Sequence, residues 1–380
     1  MTRYLLLLPL IACAPPDSSA MFMNLDVRVV DDEAAAASEF VAVVESAEKN
    51  LIVALPKGQD TFLTDAIIDR HESGVKVRVV VDVDQQNDAG VQDLLTAEVP
   101  LRLADGAVEY FDFAQNGVVS WQSQQVIMSH AFAVADRLRI VNATSVGGTS
   151  SGAQVVFQMR GEDLAEDLWL EHNQLFGGSD ATALTAFSSP AKSRADFRWI
   201  YPNNSDTPME FWIGPQERVI KRVIDAIYTA RTSVRVMSNE LVNDGIVQAL
   251  QNKAKWGFEV DVVVGPDFGT TSSALARELR NETPDVNKFT FDAADDLPTV
   301  ILIDVEGGLT TQPRAYIVSH DLYSASRFLG SRSLTTDQLI DGNLTILTDA
   351  NYRLDKGGDS PLQPLVELFE DHLNRSAGGI

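Results

Sequence analysis

The sequence predicts an α/β protein built from two tandem halves, each a mixed, mostly parallel sheet flanked by helices. Three observations predict it. First, Val29–Val81 aligns with Trp212–Val264 without a gap at a constant offset of 183 residues. Second, both segments parse as strand, helix, strand, helix, strand. Third, the last strand of each is a nearly continuous apolar run, Val75–Val81 and Phe258–Val264. Such runs suit strands buried on both faces between helical layers.

Each element of the repeat has its own reason. The first helix carries apolar residues at helical spacing, Phe40, Val41, Val44 and Ala47 in one half and Val223, Ile224, Ile227 and Ala230 in the other. A strand follows at Leu51–Leu55 and at Val234–Ser238. The second helix presents Leu63, Ala66 and Ile67, matched by Ile246, Ala249 and Leu250. It stops at Gly74 or Gly257, where a C′ glycine accepts a left-handed backbone. Only eight aligned positions are identical, so the apolar pattern carries the repeat more than the identities do.

The halves also close alike. Asp163–Phe176 and Leu362–Leu373 read as amphipathic helices, with Leu168-Trp169 and Leu368-Phe369 in matching places and His172 and His372 at the same offset. Both histidines, and His71 on the second helix, are expected on helix surfaces. The expected organisation is a signal and tether over residues 1–20, a first half over 21–187, a linker over 188–208 and a second half over 209–380. Ser188–Pro208 is rich in Ser, Pro, Asn and Asp, as linkers are. The aromatic residues around it, Phe197, Trp199, Tyr201, Phe211 and Trp212, are expected to pack between the halves, the alternative being a membrane or partner surface.

Composition narrows the function. The 380 residues carry 54 acids against 30 bases, a formal charge of −24. A nucleic-acid binder needs Lys and Arg to displace counterions from phosphates, so a nucleic-acid partner is not expected. The single cysteine, Cys13, permits no intramolecular disulfide and no Cys-rich zinc site. No metal or other cofactor is expected.

The first twenty residues read as an address. Met1-Thr2-Arg3 is a positive start, and Tyr4–Ala12 is an apolar stretch too short to span a bilayer. Its end, Leu10-Ile11-Ala12-Cys13, resembles the bacterial lipobox, whose cysteine receives the lipid. Ala14–Ala20 is then a tether. The resemblance implies a lipid-anchored protein of the bacterial cell envelope, in the outer membrane or facing the periplasm, and Ala14 after the cysteine resembles the outer-membrane sorting pattern.

The repeated unit, AIYTARTSVRVMSNELVNDGIVQALQNKAKWGFEVDVVV in its second copy, resembles the phospholipase D superfamily, whose relatives include cardiolipin synthases and Nuc-like endonucleases. The resemblance covers nearly all of the chain after the signal. It implies two phospholipase D-like α/β/α repeats paired by pseudo-twofold symmetry, and a chemistry resting on one HxKx4D motif per half. There one His attacks phosphorus, the other protonates the leaving oxygen, and the lysines stabilise the phosphoryl oxygens. A downstream GSxN-like stretch contributes hydrogen bonds to the phosphate.

Both motifs are degenerate here. Asp136 fits the family's Asp, which puts Ser129 at the His position and Ala131 at the Lys position. Asp304 fits in the second half, with Leu297 for His and Thr299 for Lys. No HxK occurs anywhere in the chain. Ala143-Thr144-Ser145-Val146 and Val318-Ser319-His320-Asp321 stand where the GSxN stretches are expected, with a true Gly330-Ser331 a little later.

These readings predict no catalytic residues of the family type. The expected function is an envelope lipoprotein with a phospholipase D-like fold, inactive by the family mechanism, that binds a ligand or protein partner. A phospholipid or other phosphodiester is the ligand the resemblance implies. The alternative is a phosphodiesterase or phospholipid-modifying enzyme with a rebuilt site, for which His130, His320, Asp136 and Asp304 are the candidates. Ser129 and His130 are neighbours on a strand, so their side chains are expected on opposite faces. The two aspartates are expected to brace strand ends through backbone amides. Arg137, Arg139, Arg314, Arg327 and Arg332 are expected to be solvated or paired rather than to form an anion site.

Overall fold

The structure is a computed structural model. It describes residues 22–104, 111–112, 117–118, 127–176, 198–202, 209–214, 219–265, 288–292, 297–306, 311–322, 340–349, 352 and 360–376. Residues 1–20, with Cys13, lie outside the described residues, as do Phe197, Arg327, Gly330-Ser331 and Arg332.

The first half runs β1 (Phe22–Val30), α1 (Glu33–Glu45), β2 (Asn50–Leu55), α2 (Thr61–Glu72), β3 (Lys76–Asp82), α3 (Ala89–Thr96) and β4 (Leu101–Ala104). Three two-residue strands follow, β5 (Phe111–Asp112), β6 (Gly117–Val118) and β7 (Ile127–Met128). The half ends with β8 (Phe132–Ala135), β9 (Arg139–Ala143), β10 (Gln154–Arg160) and α4 (Glu162–Phe176). Between the halves stands β11 (Arg198–Pro202). The second half runs β12 (Met209–Ile213), α5 (Val219–Thr229), β13 (Ser233–Ser238), α6 (Asp244–Lys255), β14 (Glu259–Val264), β15 (Lys288–Phe291), β16 (Thr299–Ile303), β17 (Arg314–Val318), β18 (Ile340–Asp341), β19 (Asn343–Thr348) and α7 (Gln363–Ser376).

Each half builds a seven-stranded mixed sheet of the same order. The first is β1-β10-β9-β8-β2-β3-β4 and the second β12-β19-β17-β16-β13-β14-β15. In each, five strands run one way and two, β8 and β10 or β16 and β19, run back. Because the returning strands alternate with the others, four of the six pairings are antiparallel and only the last two are parallel. The segment between the halves is not plain coil: β11 pairs in parallel with β1 and antiparallel with β12, joining the two sheets.

The repeat is kept down to its punctuation. Asp60 caps α2 by accepting from Leu63 N, and Asn243, 183 residues on, caps α6 by accepting from Gly245 N and Ile246 N. An N-cap acceptor satisfies an amide that has no partner inside the helix. Gly74 and Gly257 end those helices at φ +87° and +81°. A Cβ there would meet nothing within 4 Å, so backbone conformation alone selects glycine.

The core is layered. Along β2, Leu51, Val53 and Leu55 pack under α1–α3, while Ile52 and Ala54 face the opposite side. The equivalent cluster under α5 and α6 holds Val234, Val236, Val260, Val262 and Val264. Between the sheets, Phe132, Phe157 and Leu168 of the first half share one cluster with Phe211, Leu302 and Phe369 of the second. Phe211 thus packs where the two halves meet, whereas Trp212 points into the second half's own cluster, under the Arg222 guanidinium.

His172 and His372 are not surface residues. Both are buried, on the inner stripe of α4 and α7. His172 stacks on Phe176 and its Nε2 donates to Val53 O at 3.2 Å. His372 Nδ1 lies 2.6 Å from Asp292 Oδ2. The amphipathic pattern alone does not reveal these buried rings. His71 is half-buried.

Candidate functional site

Sheet register relates the two halves residue by residue at the ends of β8 and β16. Leu51 pairs with Ala135, and Val234, 183 residues on, pairs with Ile303. Asp136 and Asp304 are therefore equivalent, each one residue past its strand. Counting back from the aspartates makes Ser129 equivalent to Leu297 and Ala131 to Thr299.

The two aspartates do the same work. Both stand at positive φ, +53° and +58°, a conformation that aspartate accepts more readily than most residues. The Asp136 carboxylate accepts from Glu48, Lys49 and Asn50 backbone amides at 2.8–2.9 Å. Asp304 accepts from Arg231 N at 2.8 Å, Thr232 N at 2.7 Å and Thr232 Oγ1 at 3.0 Å. Each thus ties the start of β2 or β13 to the end of the motif strand. Burial pushes the Asp136 carboxyl up, but the amides of Asn50, Glu48 and Lys49 and the nearby Lys49 charge outweigh it and hold the carboxyl below its ordinary value.

The motif segments of the two halves meet. β7 pairs in parallel with β18, which sets Ser129 beside Gly342. Ser129 Oγ lies 3.2 Å from Ser319 Oγ, and Asn343 N donates to Ser319 Oγ at 2.9 Å. Asn343 Nδ2 crosses between the halves to Asn142 Oδ1 at 3.1 Å. Gly342 is required for this approach. A Cβ there would collide with Ser129 Oγ and stand 2.7 Å from Ser319 Oγ and 2.9 Å from the His320 ring.

Around this seam opens a cleft of about 410 Å³, within the range of small-molecule sites. Ser129, Leu297, Thr299, Ser319 and His320 line it. Ser238 Oγ donates to Glu240 O at 2.8 Å, and Thr299 Oγ1 lies 3.0 Å from Ser238 Oγ and 3.4 Å from Asp321 Oδ1. His320 Nδ1 donates to Asp321 O at 2.8 Å. Burial lowers its pKa to about 4, with the His130 charge a smaller contribution in the same direction and the Asp321 carbonyl opposing. At neutral pH the ring is neutral.

His130 is turned away from the cleft lining. It is buried against α4, with Nε2 3.4 Å from Glu171 Oε1 and its ring edge-on to Phe132. The candidate histidines are therefore distributed, His320 in the cleft and His130 on the helix side. Arg137 covers the Trp169 ring, and Arg314 lies by Tyr316 and Thr229; neither lines the cleft.

Sequence reasoning missed the charged lining. Glu33, Asp82, Asp84, Glu240 and Asp321 face the cleft, with Lys57 as its single lysine or arginine among the described residues. Glu33 is buried and accepts from Lys57 Nζ at 2.7 Å and Ser145 Oγ at 2.6 Å. Asp82 accepts from Asp84 N and Met128 N, so it shapes the loop that carries the motif strand. One signal was available: Lys57 and Glu240 stand at the 183-residue offset just past β2 and β13, where α/β folds place their sites.

No protein-family model matches the chain, and no curated protein sequence matches it. Among solved structures, the phosphatidylserine synthase of Haemophilus influenzae Rd KW20 matches with a TM-score of 0.58 at 10% identity, over 92% of this chain and 86% of that one. The polyphosphate kinase of Porphyromonas gingivalis matches with a TM-score of 0.54 at 11% identity, over 92% of this chain but 50% of that one. This chain thus spans half the length of the kinase. The likeness shows the fold: two tandem phospholipase D-like halves, each a seven-stranded mixed sheet flanked by helices.

Proposed function

We propose that this chain is a lipid-anchored protein of the bacterial cell envelope that keeps the phospholipase D-like fold, does not perform the family's reaction, and uses the cleft between its halves to bind a ligand. One observation carries the reading. By the family resemblance, the two His positions fall on Ser129 and Leu297 and the two Lys positions on Ala131 and Thr299; the matching strand pairings that make Asp136 and Asp304 equivalent support this register.

The chemistry follows from those four side chains. A serine hydroxyl attacks phosphorus only with a base to take its proton, and Ser129 Oγ faces another hydroxyl, Ser319 Oγ. Leu297 neither attacks nor protonates. Burial lowers the His320 pKa to about 4, so the ring is neutral at pH 7 and has no acid proton of the imidazolium to give. Ala131 and Thr299 bring no positive charge to a transferring phosphoryl group.

A rebuilt phosphodiesterase is the competing reading, and His320 in the cleft is the observation that favours it. Purified full-length protein is assayed on bis(p-nitrophenyl) phosphate beside His130→Ala and His320→Ala variants. Turnover abolished by either change supports the rebuilt enzyme and contradicts the proposal. For the anchor, Cys13→Ser is expected to move the protein from the membrane fraction to the soluble fraction; unchanged partition counts against lipidation.

A further inference from the structure

We propose that the end of the molecule opposite the cleft docks on the lipid bilayer, with Tyr228 and Trp256 seated among the lipid headgroups. This rests on the reading of the chain as lipid-anchored and goes beyond it by naming the surface that meets the membrane.

The patch is defined by exposure. Among the described residues three large apolar side chains are exposed, Phe62, Tyr228 and Trp256. Tyr228 and Trp256 adjoin, with ring centroids 6.2 Å apart. Both are held in place. Tyr228 OH accepts from Asn252 Nδ2 at 3.1 Å. Lys253 Nζ lies 5.6 Å from the Trp256 ring centroid and donates to Ala230 O at 2.6 Å, which ties the end of α6 to the end of α5. An indole and a phenol, each an apolar ring with a polar edge, suit the headgroup level of a bilayer. The two rings are inclined at 45°, so they offer no common flat face for a sugar to stack on.

The charge around the pair is opposite in sign to that of the chain. Residues 226–232 and 252–258 form the turns that carry the two rings. They hold Arg231, Lys253 and Lys255 and no carboxylate. Arg231 and Lys255 are exposed. Helix C-termini favour cations, and here two such ends lie side by side. A net charge of −24 keeps most of the surface away from an anionic leaflet, whereas this patch is attracted to one.

Topology puts the anchor at the same end. In the second half, β13 runs from Ser233 to Ser238 and delivers Asn239 and Glu240 to the cleft. Tyr228 and Trp256 precede the starts of β13 and β14, so they lie at the far end. In the first half, Gln154 lines the cleft and pairs with Val30, the last residue of β1. Phe22 begins that strand about 25 Å away. It stands beside Tyr201, next to the Ile200–Met209 pairing at the start of β12. β12 and β14 are five strand spacings apart, about 25 Å. Eight residues separate Cys13 from β1, a reach of about 30 Å at full extension. A lipid on Cys13 thus keeps the bilayer within reach of the patch, and the cleft faces away from the membrane.

The test is tryptophan fluorescence of full-length protein incorporated in vesicles of phosphatidylethanolamine and phosphatidylglycerol, with and without lipids brominated near the headgroup. Quenching by the brominated lipid is expected, and most of it is expected to disappear in Trp256→Phe. Phe62 is the control: it lies in the first turn of α2, just past the cleft residues Pro56 and Lys57. Emission added by Phe62→Trp is expected to escape quenching. Quenching that is unchanged in Trp256→Phe overturns the proposal, as does equal quenching of the emission added in Phe62→Trp. Flotation separates the two readings. Protein that floats with the vesicles without quenching at Trp256 overturns the docking alone. Protein that does not float overturns the anchor, and the docking with it.

Discussion

Asp136 and Asp304 are the same device used twice: each accepts backbone amides at the start of the neighbouring strand, from a left-handed residue just past the motif strand. Removal of either carboxylate strands those amides. Asp136→Ala and Asp304→Ala are each expected to cost about 2 kcal/mol, read as a lower urea midpoint at unchanged slope. Asp136→Asn retains an acceptor and tolerates the φ, so it should cost less. A cost for Asn equal to that for Ala would contradict this account.

Gly74 and Gly257 should respond alike. Alanine at either site meets no neighbour, so the expected cost is the backbone term alone, about 1 kcal/mol. Gly342→Ala is different in kind. Its methyl enters space held by Ser129, Ser319 and His320, and about 1–3 kcal/mol is expected from overpacking. Gly342→Ala costing no more than Gly74→Ala would show that the seam is looser than described.

Acid should destabilise the fold through its neutral buried histidines. Burial lowers His172 to about 3 and His320 to about 4, against 6.5 as the ordinary value; the Arg78 charge adds to the shift for His172. Their pKa values are depressed in the folded state, so unfolding takes up protons below pH 6.5. Their contribution is full above that pH and is lost as the pH falls toward 4 for His320 and toward 3 for His172. The expected slope is about 1.4 kcal/mol per pH unit for each histidine. Asp136 acts only lower, below its ordinary value of 3.8. His172→Phe, which keeps a ring on Phe176, should remove about half of the slope between pH 6 and 4.5. An unchanged slope in that variant would contradict the assignment.

The fold was legible because its information is local and stated twice. The apolar rhythm of α2 and α6, the caps Asp60 and Asn243, and the glycines that end both helices recur at one offset. The motif aspartates do not share that offset; they were legible from the apolar strand that precedes each of them. The cleft's charge was not: Glu33, Asp84, Glu240 and Asp321 come from separate elements, far apart in sequence, that only the sheets bring together. The buried histidines had a signal that residue type obscured. Leu168, His172 and Phe176 are spaced by four, one stripe of α4, and the polar ring masked its place on the apolar face.

The central claim is that a phospholipase D-like fold persists here without that family's reaction. Its most direct test is release of p-nitrophenolate from bis(p-nitrophenyl) phosphate, and of headgroup from phosphatidylglycerol vesicles, by micromolar wild-type protein at pH 5 to 8. A rate indistinguishable from buffer across that range is the predicted result. Turnover that scales with protein concentration and disappears in Ser129→Ala or His320→Ala would contradict the claim.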